Sequence, residues 1–106
     1  MAVNHPDKVD LVSTGDGGEF VLIITDHLDW SESLEHQRML QTKINTYLRF
    51  IETGQLVGRF PDAAGKEVVI RVVAASEPDA DGRQFLDRAA QALAGAGYKF
   101  FWQRFE

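Results

Sequence analysis

The chain has no cysteine among its 106 residues. This absence excludes a disulfide scaffold, a thiolate zinc site and a cysteine nucleophile, so any metal site would have to use histidine and carboxylate ligands. No apolar run approaches the ~20 residues of a membrane span. Residues 1–7 also lack the basic and apolar regions of a signal peptide. We therefore expect a cytoplasmic protein that makes no membrane contact.

Positive charge is in short supply. Eleven lysines and arginines face sixteen aspartates and glutamates, which gives a formal net charge of −5. A chain of this charge stays soluble, and it has little general affinity for nucleic acid or anionic lipid. Residues 1–106 match the usual size of one domain, and we predict a single domain that buries one core.

Signatures for cofactors and hydrolytic nucleophiles are also missing. The glycine-rich stretch Gly15–Gly18 has no Lys-Ser/Thr ending and precedes a strand pattern, so it predicts a hairpin turn and not a phosphate loop. No serine lies in a Gly-x-Ser-x-Gly elbow. We therefore predict no cofactor.

Apolar periodicity divides the rest of the chain into strands and two helices. Four strands are predicted, at Val9–Ser13, Glu19–Thr25, Lys66–Ala75 and Tyr98–Phe105. The second is a continuous apolar run and should be central in the sheet. The segment Gln55–Phe60 is either a fifth strand or a loop.

The first helix is predicted over Ser31–Thr53, with Asp29 or Ser31 as its cap and Gly54 just after its end. Its apolar stripe is Leu34, Leu40, Ile44, Leu48 and Ile51, and Lys43 falls off that stripe.

The second helix is predicted to start at Ser76, since an acid follows three residues later with Pro78 between, and to end near Ala94. Its buried stripe should be Phe85, Ala89, Leu93 and Ala96.

The resulting order is β-β-α-β-α-β. Helical crossovers between strands predict an α+β fold, namely a two-layer α/β sandwich. It has a mixed sheet of four strands, or five if Gln55–Phe60 is a strand, with both helices on one face.

Three sequence motifs indicate a family resemblance. They are Asp26-His27-Leu28-Asp29-Trp30, Gln41–Gly54 and Phe60–Gly65. With them the chain resembles a family of small uncharacterised bacterial proteins that carry a Ser/Thr-Asp-His-Leu-Asp-Trp signature. The likeness runs over nearly the whole chain. It implies a bacterial cytoplasmic protein and brings no biochemical activity, because the family is a domain of unknown function.

The hinge between the central strand and the first helix holds Asp26, His27 and Asp29. An imidazole between two carboxylates at the carboxyl end of a strand is a candidate catalytic or metal site. Asp26 and His27 point to opposite sides if the strand continues, so convergence requires a backbone turn. The structural interpretation is favoured. In it Asp29 caps the helix, Asp26 accepts backbone N–H bonds in the turn and His27 binds a loop carbonyl, while Trp30 closes the core.

His36 follows Glu32 by four residues, on the same helix face. This spacing favours an exposed ion pair. A metal pair of Glu32 and His36 is the alternative, although this spacing matches no common zinc signature. The candidate metal ligands are His27 and His36.

The last strand mixes aromatic and cationic side chains. If Tyr98, Phe100 and Trp102 face the helices, the opposite sheet face carries Lys99, Phe101, Gln103 and Phe105, together with apolar residues of the earlier strands. Monomers seldom leave such a patch exposed, so we predict a homodimer with those four residues at its interface.

Three function classes follow in order of support. A non-enzymatic binding or interaction module that self-associates is first, and an enzyme or ligand site at the hinge is second. Binding of single-stranded nucleic acid by the last strand is third, because the strand lacks the RNP order and the chain is acidic.

Overall fold

A computed structural model describes residues 11–105 of the chain. Its strands are β1 (Leu11–Thr14), β2 (Phe20–Asp26), β3 (Val68–Ala74) and β4 (Lys99–Arg104), and its helices are α1 (Ser33–Glu52), α2 (Gln55–Arg59) and α3 (Ala80–Gly95). A single 3₁₀ turn, Pro61–Ala63, follows α2. The order β-β-α-β-α-β and the α+β class are confirmed.

The sheet is mixed and its strands lie in chain order, β1-β2-β3-β4. β1 pairs antiparallel with β2 through the glycine turn, in which Gly18 has a positive φ of 86°. β2, β3 and β4 are parallel, and α1 and α3 make the crossovers. The carboxyl ends of these three strands therefore lie at the same end of the sheet, and the hinge residues Asp26, His27 and Asp29 lie there.

Both long helices pack on one face of the sheet, as predicted. Alternate residues of the strands form a single core with buried residues of α1, α2 and α3. Period-two alternation places these strand residues on the same side. The strand members are Phe20, Leu22, Ile24, Val68, Ile70, Val72 and Phe100, and the helix members include Leu40, Ile44, Tyr47, Phe50, Leu56, Leu86 and Leu93.

The far face of the sheet is less bare than the sequence predicts. Val21 and Val69 lie on that face with only 4% of their surface exposed, and Val73 is half-buried. By contrast, Phe101 is 52% exposed and Phe105 is 72% exposed. Large exposed apolar side chains on the far face, within residues 12–105, are thus confined to β4 and the residue after it.

Both predicted helix starts are wrong in detail. α1 begins at Ser33, and the preceding Glu32 makes no side-chain capping bond. Neither of the predicted caps is used, because the backbone N–H and the hydroxyl of Ser31 both donate to the Asp29 carboxylate. α3 is capped by Asp79, whose carboxylate accepts from the Gly82 N–H at 2.7 Å, and not by Ser76.

The region between α1 and β3 is helical, so the fifth strand is absent from it. Gly54 follows α1 in a left-handed conformation with a φ of 85°, as predicted, and α2 then occupies Gln55–Arg59. For β1, the predicted start at Val9 lies outside the described residues.

Each predicted helix stripe contains an error. On α1, Leu34 is 64% exposed, whereas Lys43 is fully buried with its Nζ 5.5 Å from the centre of the Tyr47 ring. On α3, Phe85 is half-buried against the core, but the fully buried neighbour is Leu86, which the stripe omits, and Ala96 lies beyond the helix and is exposed. None of the helices in the described range has the length and apolar character needed to cross a bilayer.

Candidate functional site

Asp26 ends β2 with its side chain turned toward the helices. Oδ1 accepts a hydrogen bond from the Leu28 N–H at 3.2 Å, and Oδ2 lies 2.6 Å from Nε2 of His36. The Asp26 side chain is 0% exposed and that of His36 is 2% exposed. These two residues, ten apart in sequence, form a buried acid–imidazole pair between β2 and α1.

The ring of His36 is held on both nitrogens. Nδ1 lies 3.0 Å from the carbonyl oxygen of Asp29, which can only accept, so Nδ1 carries a proton. Nε2 makes the 2.6 Å contact with the Asp26 carboxyl group. The Trp30 ring stacks on the imidazole at 3.7 Å between centres, with a 24° angle between the planes.

Trp30 also connects this pair to α3. A Cβ atom added to Gly82 would lie 2.7 Å from Cζ3 of Trp30, so only glycine lets the indole pack this close to the helix. The cap of α3 joins the same corner, because Asp79 accepts a hydrogen bond from the Ser33 hydroxyl at 3.1 Å. The corner therefore ties the first turns of α1 and α3 to the end of β2.

Asp29 lies at the surface of the corner. The hydroxyl and the backbone N–H of Ser31 donate to its Oδ1, at 2.7 and 3.1 Å. These bonds favour the charged form, and they lower the pKa of the Asp29 carboxyl below its ordinary value. Asp29 also borders an acidic cleft of about 220 Å³ on the helix side, together with Glu32 and Glu35.

His27 points to the other side of the sheet. It lines an apolar cleft of about 220 Å³ on the far face, whose other lining residues are Thr25, Asp26, Val73, Ala75 and Phe105. The Nδ1 atom of His27 is buried and makes no hydrogen bond with the described part of the chain. The cleft therefore joins the hinge to Phe105 of the predicted interface.

The structure thus places the candidate residues in three separate locations. Asp26 pairs with His36 under the helices, while His27 lies on the far face and Asp29 binds Ser31. No set of three histidine or acidic side chains within residues 11–105 is placed to hold a metal ion. The prediction of an exposed Glu32–His36 ion pair is wrong, because His36 is buried against Asp26.

The buried corner is arranged to hold the fold together. Both carboxylate oxygens of Asp26 and both ring nitrogens of His36 already have partners within the chain. A general base needs a free lone pair within reach of a substrate proton, and the corner presents none at these atoms.

Sequence reasoning missed two parts of this corner. The His36 contact depends on the turn after β2, which brings α1 back over the strand. Asp79 is a preferred capping residue, but so is Ser76 three residues earlier, and the sequence does not choose between them.

The residues predicted at the interface lie together as expected. Lys99, Phe101, Gln103 and Phe105 share the far face, and all four are exposed. Lys99 bonds Glu67 at 3.3 Å, and Arg104, on the other side of the strand, bonds Glu77 at 3.3 Å.

A family model described as "Family of unknown function (DUF6572)" matches residues 1–106. No curated protein and no solved structure matches the chain.

Proposed function

We propose a function for this chain from its geometry, since its family provides none. The chain belongs to DUF6572, a family of unknown function. The protein is a non-enzymatic interaction module that self-associates to a homodimer. The observation that carries this proposal is the position of Phe101 and Phe105, which are 52% and 72% exposed on the sheet face opposite the helices.

Burial of these rings is the driving force. Phe101 lies on β4 and Phe105 directly follows it, four residues on and on the same face, so a single partner surface can contact both. Burying aromatic surface is worth about 25 cal/mol per Å². The apolar cleft beside Phe105 extends this surface toward Val73 and Ala75.

The hinge supports this assignment over the enzyme alternative at Asp26, His27 and Asp29. The polar atoms of Asp26 and His36 are bound within the chain, and the cleft at His27 is lined almost wholly by apolar surface. Nucleic acid is the third class, and it lacks support for a separate reason. The two cations of β4 each lie 3.3 Å from a glutamate of the same chain, and the chain carries a formal net charge of −5, which disfavours binding of phosphates.

We also propose that the protein functions in the bacterial cytoplasm, and the family resemblance described above supports this location. Fractionation of bacterial cells that express the chain is the check. Recovery with the membranes or in the periplasm would contradict this setting.

Sedimentation equilibrium tests the self-association. We expect the wild-type mass to rise from one to two chain masses between roughly 1 μM and 1 mM, the range of weak specific contacts. Phe101→Glu and Phe105→Glu should each hold the protein at one chain mass. Leu34→Glu is the matched control, because Leu34 is equally exposed but lies on α1.

The outcomes separate the function classes. A wild-type chain that stays monomeric throughout this range would refute self-association. Loss of the dimer in Leu34→Glu would show that the interface includes α1. For the enzyme alternative, His27→Ala would have to abolish binding of a ligand while leaving the circular dichroism spectrum unchanged. For nucleic acid, the chain would have to retain RNA in a salt-dependent way.

A further inference from the structure

We propose that the second copy adds its β4 antiparallel to β4 of the first, which continues the sheet across a two-fold axis at Gln103. This inference rests on the proposed self-association and specifies its surface. The alternative mode, in which two far faces stack, would need apolar surface over β2 and β3. Much of that surface is already removed from solvent, since Val21 and Val69 are each 4% exposed and Ile23 and Val73 are half-buried.

β4 is a sheet edge within the described chain. It pairs with β3 on one side, and the Phe105 N–H donates to the Ala74 carbonyl at 2.8 Å. Backbone groups alternate along a strand, so the N–H and C=O groups of Trp102 and Arg104 point away from β3. An unpaired row of this kind is a template for another strand.

The spacing of the two rings selects the register. With the axis at Gln103, Phe101 lies opposite Phe105 of the second copy, and the reverse contact repeats on the other side of the axis. Directly opposite side chains in an antiparallel pair have Cβ atoms about 4.5–5.5 Å apart, within aromatic contact. Each exposed ring of one copy then contacts an exposed ring of the other copy along one side.

The same register fits the groups between the rings. Trp102 lies opposite Arg104 of the second copy, and these two residues carry the outward-pointing N–H and C=O groups, so they exchange backbone hydrogen bonds. Moving the axis to Arg104 would set Arg104 against itself, a repulsive like-charge pair. Moving it to Trp102 would leave Phe101 opposite Gln103.

The cleft on the far face continues this contact. Ala74 pairs with Arg104, so Ala75 lies level with Phe105 in the next row. Phe101 of the second copy would lie on the outer side of Phe105 and extend this apolar row. Because Lys99 and Arg104 are paired with acids of their own chain, the edge does not need an anionic partner.

Disulfide trapping tests this arrangement, and the absence of cysteine makes every cross-link assignable. Gln103→Cys should form a covalent dimer on mild oxidation, because opposite Cα atoms about 4.5–5.5 Å apart fall within the ~4.4–6.8 Å span of a disulfide. Arg104→Cys is the register control, since position 104 meets position 102 of the second copy. Ser13→Cys on β1 is the edge control. Neither control should cross-link at the same rate.

Hydrogen exchange gives a readout without substitution. The Trp102 and Arg104 amides should gain at least about tenfold protection as the wild-type concentration rises through the dimerisation midpoint. If sedimentation shows a dimer but Gln103→Cys fails to cross-link, or Ser13→Cys cross-links instead, the edge pairing is refuted and self-association stands. If no dimer forms at any concentration, both proposals fall.

Discussion

Asp26 and His36 connect the end of the central strand to the first helix through one buried contact of 2.6 Å. Removing one partner of such a pair leaves a buried polar group without its match, which costs about 3–5 kcal/mol. We therefore expect Asp26→Ala to lower the free energy of unfolding by that amount, measured by urea denaturation. Asp29→Ala should cost far less, because the Asp29 backbone carbonyl, and not its carboxylate, binds His36.

A double-mutant cycle separates this contact from general damage to the corner. Asp26→Ala and His36→Ala should together cost less than the sum of the single changes, with a coupling of about 0.5–3 kcal/mol. Additive losses would mean that the two residues stabilise the fold independently.

Asp29 should make the stability of the folded protein depend on pH in the acidic range. The Ser31 bonds lower the pKa of Asp29 in the folded state, so the folded protein holds this charge more strongly than the unfolded chain does. The associated stability is present above the unfolded value of about 4. It is lost as the pH falls through the lower folded value.

Ser31→Ala should raise the Asp29 pKa toward its ordinary value, measured by carboxyl carbon NMR titration. The shift should be partial, because the backbone N–H of Ser31 still donates. Ser33→Ala removes a hydroxyl that binds Asp79 instead and should leave the Asp29 titration unchanged. An equal shift in both variants would contradict the assigned cause.

At the scale of elements, the cap of α3 distinguishes the sequence interpretation from the structure. Asp79→Ala should cost about 1 kcal/mol, the usual value of a helix cap, because the Gly82 N–H loses its acceptor. Ser76→Ala should change the free energy of unfolding by less than half of that loss. Urea denaturation of the two variants checks the assignment, and a larger loss in Ser76→Ala would overturn it.

The four strands and the two long helices could be predicted because each depends on a local period, whereas the short helix α2 was predicted neither as a helix nor from any period. The apolar run of β2 and the left-handed Gly54 depend on neighbouring residues alone, and both are confirmed. The helix caps could not be fixed in the same way. Asp29 and Ser31 are both good caps, and their bond to each other removes both from that role.

The candidate site was predictable only in part, for a related reason. His36 lies on α1 at a spacing that suits a surface pair with Glu32, and nothing local shows that the helix returns over Asp26. The alternation of β4, in contrast, was enough to place Phe101 and Phe105 on the far face. The burial of Val21 and Val69 on that face depends on the tertiary structure, and no strand pattern contains it.

At the scale of the whole molecule, the charge of the chain opposes the association that its exposed rings favour. Each copy carries a formal net charge of −5, so two copies repel at low ionic strength. The Debye length falls from about 30 Å at 0.01 M salt to about 8 Å at 0.15 M, which screens repulsion between exposed charges. Apolar contact between Phe101 and Phe105 is not weakened by this screening.

We therefore expect the dimer dissociation constant to decrease by roughly a few-fold between 0.01 and 0.15 M salt, because screening removes repulsion of that order. Sedimentation equilibrium at the two salt concentrations measures it. Binding held by ion pairs or by phosphate contacts changes in the opposite direction, since salt screens those attractions. A dimer that weakens with salt would place the association on charged side chains and not on the aromatic rings of β4.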